Sequence, residues 1–227
     1  MKNIKSAEEV KSTTREELLH FIDSYFQEVI KCLVLLDKEL LEKMIEMILA
    51  AYKNDKKIYI LGNGGAASTA SHLACDLGKG TLARVYDTKE KRLRVISLTD
   101  NIALISAYAN DISYDDIFLQ QLRNLVEHDD VVIAISGSGN TKNVLKAVVY
   151  AKHVGAKTIG LTGFKTGGKL AQLVDLSIIV DTTHYGPIED IHMIIGHLVS
   201  AAVASAKHIE SSNGKARKNK AVPFYLD

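Results

Sequence analysis

The sequence predicts a doubly wound α/β fold, a five-stranded parallel sheet flanked by helices and preceded by two long N-terminal helices. Two patterns carry that expectation. Short, β-rich apolar runs alternate with stretches of helical period, and the runs lack clean apolar–polar alternation, as strands buried on both faces do. Two of the runs also end in glycine loops, and open α/β sheets bind their ligands at the carboxyl ends of strands.

Taken in order, Met1 to Glu17 is polar and charged and reads as no signal peptide. Leu18, Ile22, Tyr25, Val29 and Leu33 then recur at helical spacing. Leu40, Met44, Ile45, Ile48, Leu49 and Tyr52 form a second stripe, with Asp37 as the cap between the two. Both stripes are wide enough to pack on the domain and on another subunit, so oligomerisation is expected. Strands follow at Lys57–Leu61, Arg94–Leu98, Val131–Ile135, Thr158–Leu161 and Ser177–Val180. Helical patterns fit residues 66–78, 101–109, 114–127, 141–154 and 167–173, and a last helix runs from about Glu189 to Ile209.

A chain of 227 residues suits one sizeable α/β core and is short for two, so residues 1–210 are expected to form a single domain. The tail from Ser211 to Asp227 carries Lys215, Arg217, Lys218 and Lys220, then Pro223-Phe224-Tyr225-Leu226. It reads as a solvated basic end or as a segment that docks on a neighbouring subunit. A formal net charge of +1 offers no field for nucleic acid or a membrane surface. Cys32 and Cys75 make neither a disulfide framework nor a zinc knuckle, and no unbroken apolar run reaches the ~18 residues of a membrane span. A soluble, cytoplasmic protein is expected.

The most informative segment is Ser136-Gly137-Ser138-Gly139-Asn140-Thr141, between an apolar strand and a helix start. Glycines let the backbone approach a ligand, and the N–H groups of the first helical turn point at it. The three hydroxyls add donors, so phosphate is the expected ligand. Asn63-Gly64-Gly65 ends the first strand in the same way, and the two loops are expected to line one cleft. His72 and Asp76 lie four apart on the helix that follows, sharing a face. Glu189 and His197 fall on roughly one side of the last helix, with His192 rotated from His197 but near Glu189. Such a set suits a zinc ion. It equally suits proton transfer between adjacent carbons of a sugar through an enediol, with the phosphate as anchor. Lys79 is placed to reach a substrate or to stay solvated, and Asp100 and Asn101 to bind sugar hydroxyls or cap the next helix.

Together, Leu61 to His72, Ile135 to Thr141 and Ile188 to His197 resemble the phosphoheptose isomerases of the sugar isomerase (SIS) domain superfamily. The resemblance runs from the N-terminal helices through the last helix. It implies the SIS fold, a homotetramer with active sites between subunits, and interconversion of sedoheptulose 7-phosphate and D-glycero-D-manno-heptose 7-phosphate. Family phosphate contacts map onto Ser136, Ser138 and Thr141, with Asn63, Gly64, Gly65 and Asn140 beside them as binding candidates. The family's zinc ligands map onto His72, Asp76, Glu189 and His197, with Asp76 at the base position and His197 at the acid position.

The chain departs from the family at several of these positions. Asp76 stands in place of Glu, withdrawing the carboxylate by one methylene, about 1.5 Å. Glu189 stands in place of Gln, adding a charge that suits zinc. Ala66 replaces a phosphate-binding Ser, Gly137 replaces a Thr, and the loop Thr183-His184-Tyr185-Gly186-Pro187 is shorter and lacks an Asp. His184 and Tyr185 then either line the pocket or cap the helix. The alternative function is a non-catalytic sugar-phosphate-binding regulator or partner scaffold of the same superfamily. A shorter phosphosugar substrate is a further option within enzymes.

Overall fold

The computed structural model describes residues 14–212, so the basic tail beyond residue 212 lies outside the described residues. Helix α1 (Arg15–Leu35) starts at Thr14, whose hydroxyl accepts from the Glu17 amide while the Glu17 carboxylate accepts from the Thr14 amide. Asp37 caps α2 (Lys38–Lys53) by accepting from the Glu39 and Leu40 amides.

Five strands follow: β1 (Lys57–Gly62), β2 (Arg94–Ser97), β3 (Val131–Ser136), β4 (Lys157–Gly163) and β5 (Leu176–Val180). All pair in parallel, in the order β2-β1-β3-β4-β5. The chain moves outward from β1 to β2 and then returns to β3, so the order reverses between β1 and β3. A crevice opens beyond their carboxyl ends at such a switch point. The register sets Gly62 beside Ile135 and Ser136 beside Thr162, which brings the two glycine loops to one edge.

Connecting helices are α3 (Gly65–Cys75), α4 (Ile102–Asp111), α5 (Ile117–Leu125), α6 (Lys142–Val154), α7 (Gly168–Leu173) and α8 (Tyr185–Ser212). The inner strands β1, β3 and β4 are buried on both faces, which is why they read as apolar runs, while the edge strand β2 leaves Arg94 and Ile96 exposed. Ile58, Ile60, Ile133, Ile135, Ile159 and Leu161 face α2, α3 and α8. Tyr59, Leu61, Val132 and Ala134 face α5, α6 and α7. By length and composition alone α8 could cross a membrane, but Ile188, Ile191, Ile195, Val199 and Val203 bury one face of it in the core.

Three elements differ from the sequence-based expectation. Helix α8 begins four residues before Glu189, because Pro187 falls in its first turn, where a missing N–H costs nothing. The stretch 114–127 divides into a 3-10 turn (Tyr114–Asp116) and α5. Helix α3 passes directly into a π-turn, Asp76–Gly80. Helix α1 buries Cys32 and leaves Phe21, Phe26, Ile30 and Val34 more than half exposed.

Candidate active site

The serine loop is shaped by its own hydrogen bonds. Gly139 takes a positive φ of 62°, and its amide donates both to the Ser136 carbonyl at 3.0 Å and to Ser136 Oγ at 3.2 Å. Ser136 Oγ lies 3.2 Å from Thr141 Oγ1, and Ser138 Oγ accepts from the Asn140 amide at 3.3 Å. Thr141 occupies the cap position of α6, yet its side chain makes no capping bond. The first amides of α6 therefore lack a side-chain acceptor, which leaves donors and a positive helix end for an anion.

Asn63, which sequence reasoning placed among the substrate contacts, has a structural partner. Its Nδ2 donates to Asn143 Oδ1 at 2.9 Å, and its Oδ1 lies 3.2 Å from Asn143 Nδ2 and 3.0 Å from the Tyr114 hydroxyl. This amide pair ties the β1 loop to the start of α6, next to the serine loop. Gly64 has φ 59° and opens α3. Asn143 and Tyr114 carry no motif, and only a pairing between β1 and β3 would have pointed to them.

His72 on α3, Asp76 at the start of the π-turn after it, and His197 on the facing helix α8 come together. His72 Nε2 lies 2.9 Å from His197 Nε2 and 3.3 Å from Asp76 Oδ2, and His197 Nε2 is 3.8 Å from the same oxygen. The rings meet edge to face, with centroids 4.9 Å apart. A nitrogen–nitrogen contact of this length requires one ring to present its lone pair. Two imidazole nitrogens and a carboxylate oxygen, all within 4.8 Å of one another, match the donor types and compactness of a zinc site. Asp76 opens the π-turn, a local widening often found at functional positions.

Glu189 stands outside that cluster among the described residues. Its carboxylate lies against Gly65 in the first turn of α3, so close that a Cβ on Gly65 would sit 2.6 Å from Glu189 Cδ. His192 is also apart from the cluster. It is buried in the core, and its Nε2–H donates to the Thr162 carbonyl at 3.1 Å. Burial pushes its pKa down to about 4, outweighing the opposing effect of that bond.

Asn101 caps α4 by accepting from the Leu104 amide at 3.1 Å, one of its two expected roles. Asp100 accepts from Ser71 Oγ, on the residue before His72, and from Thr99 Oγ1 at 3.2 Å. Lys79 is exposed at the end of the π-turn. Sequence reasoning missed a bond between Tyr25 on α1 and Asp190 on α8, 2.6 Å long, which pushes the Tyr25 pKa up to about 12. In the sequence Tyr25 is visible only as part of an apolar stripe.

Comparison with known proteins adds to this picture. The family model described as "SIS domain" matches residues 21–163. Phosphoheptose isomerase from Helicobacter pylori strain P12 is 38% identical over 163 residues, covering 71% of this chain and 81% of its own length. The Aliarcobacter butzleri strain RM4018 phosphoheptose isomerase is 36% identical over 174 residues, covering 76% and 88%. Among solved structures, phosphoheptose isomerase GmhA from Neisseria gonorrhoeae superposes with a TM-score of 0.73 at 29% identity, over 83% of this chain and 99% of that one. A phosphoheptose isomerase from Francisella tularensis gives 0.75 at 25% identity, over 85% and 98%.

Proposed function

Because the chain belongs to the SIS domain family, within its phosphoheptose isomerase branch, we propose that it is an aldose–ketose isomerase. Its substrate is sedoheptulose 7-phosphate or a close phosphosugar, and its product the corresponding aldose phosphate. The observation that carries this reading is the His72–Asp76–His197 cluster between α3 and α8, the helix whose first turn lies on Gly137 of the serine loop and on Gly65 at the start of α3.

In this reading Ser136, Ser138, Asn140 and Thr141 hold the phosphate, and Gly64 and Gly65 let the first amides of α3 approach the sugar. Binding energy from that remote anion orients the reacting carbons. Asp76 takes the proton from the carbon beside the carbonyl, while His197 gives a proton to the carbonyl oxygen, producing an enediol. The aldose forms when Asp76 returns its proton to the adjacent carbon and His197 recovers one from the other oxygen. A zinc ion would be held by His72, Asp76 and His197, with Glu189 the candidate for a fourth position, and it would supply a Lewis acid for the carbonyl.

The exposed apolar side of α1 supports self-association, in this reading as a cytoplasmic homotetramer with the active sites between subunits, and the balanced charge favours neither nucleic-acid nor membrane partners. The test is incubation with sedoheptulose 7-phosphate in zinc-containing buffer, following aldose formation by NMR for wild type and Asp76→Asn. Turnover by wild type alone supports both the activity and the role of Asp76. Turnover by both keeps the activity and moves the base elsewhere. Absence of turnover on every phosphoketose tried, with no stoichiometric zinc in the purified protein, points to the non-catalytic regulator instead.

A further inference from the structure

Two glycines at the ends of adjacent strands receive the first turn of α8. A Cβ on Gly163 would lie 2.6 Å from Ile188 Cγ1, and one on Gly137 would lie 3.0 Å from Tyr185 Cε1 and 3.1 Å from Cδ1. Tyr185 and Ile188 are three residues apart and share a helix face. The Gly163 amide donates to the Gly137 carbonyl at 2.9 Å, so both seats belong to one rigid edge.

Gly137 is absent from the residues with positive φ, so backbone conformation does not demand glycine there. What glycine leaves room for is the Tyr185 ring on the serine loop, which would have to give by a few tenths of an ångström to a Cβ there. Phe164, the next residue after β4, does have a positive φ of 58°, a conformation costly for a side chain of that size. Its ring meets Tyr185 edge to face, with centroids 5.2 Å apart and planes at 83°. Backbone strain held in place by surrounding structure is concentrated at ligand clamps and active sites.

The ring is thus fixed on two sides, yet Tyr185 remains 55% exposed, and its hydroxyl has no hydrogen-bond partner among the described residues. A tyrosine serving the core alone would be buried and its hydroxyl satisfied. On the reading that the serine loop binds phosphate, we propose that Tyr185 is a substrate-contacting, specificity-determining residue. Its ring walls the side of the loop at Gly137, and its hydroxyl donates to the phosphate end of the substrate. Phe164 acts through Tyr185 as a positioning residue. Charge-assisted hydrogen bonds are the strong ones, and a ring that limits access of water strengthens those made by Ser136, Ser138 and Thr141.

The experiment measures inorganic phosphate binding by calorimetry and steady-state kinetics on the phosphosugar for the full chain and four variants. Tyr185→Phe, the least disruptive, removes only the hydroxyl and weakens phosphate by about threefold to tenfold, as loss of one charge-assisted bond predicts. Tyr185→Ala removes the wall as well and weakens it by about tenfold or more, appearing mainly in KM rather than kcat. Gly137→Ala displaces the ring and weakens phosphate too. In a Tyr185→Ala background it adds less than about twofold, because the group it would displace is gone. A merely structural tyrosine would lower Tm without that KM effect or that coupling. Phosphate bound equally by wild type, Tyr185→Phe and Tyr185→Ala would overturn this inference and leave the phosphate reading standing. Failure of wild type itself to bind phosphate would overturn both.

Discussion

His192 ties the middle of the molecule to pH. Only 1% of its surface is exposed, and burial holds its pKa near 4 against an ordinary 6.5. Between those values the unfolded chain binds a proton that the folded chain refuses. The stability this group contributes is therefore complete above about pH 6.5 and is lost as pH falls toward 4. A shift of that size is worth about 3 kcal/mol in all, of which about 2.5 kcal/mol disappears between pH 7 and pH 4.5. Glutamine at the same position keeps an N–H donor for the Thr162 carbonyl and does not titrate. His192→Gln is expected to lose less stability than wild type over that interval, by about 2 kcal/mol. Urea unfolding at one fixed protein concentration measures it, the gap appearing as roughly 1 M in midpoint for an m-value of about 2 kcal/mol per M. Parallel losses in the two proteins would refute the reasoning, because they would show His192 titrating alike in both states.

Gly65→Ala places a Cβ 2.6 Å from Glu189 Cδ and Oε1 and must move that carboxylate. We expect kcat/KM to fall by about tenfold or more while Tm changes little, since Glu189 is the flexible partner of the two. His72→Ala and Asp76→Asn each remove a member of the donor cluster, so both should bind zinc less tightly than wild type in a chelator competition. Gly155 ends α6 with φ 88° and has the His128 ring where a Cβ would go, Nε2 3.0 Å away. Gly155→Ala should cost about 1–2 kcal/mol and lower Tm by several degrees without changing phosphate affinity. Asn143→Ala unties the two glycine loops and should weaken inorganic phosphate binding, measured by calorimetry, with a stability loss of about 1–2 kcal/mol.

All five strands were legible in the sequence to within two residues, because the inner strands β1, β3 and β4 are buried on both faces and read as apolar runs, and the edge strands β2 and β5 keep a β-branched apolar centre. The glycine loops were legible for a related reason: close backbone approach and positive φ call for glycine at Gly64 and Gly139. His72 and Asp76 were recognisable as a pair because helical spacing is a local property. The same spacing argument placed Glu189 with His197, although only His197 faces the cluster and Glu189 lies on Gly65. The start of α8 was misplaced, since the Thr183-to-Pro187 stretch looked like a loop and its first turn is stabilised by packing on β3 and β4.

The sequence by itself determined the alternation of strands and helices, the two glycine loops and the family to which they belong. Periodicity and turn chemistry are written in residues close together along the chain. Only the tertiary structure decided that Asn63 holds Asn143, that His192 serves the core, and that Gly137 yields its space to Tyr185. Each of those joins side chains many residues apart. Their partners are set by sheet order and helix docking, which no local pattern encodes.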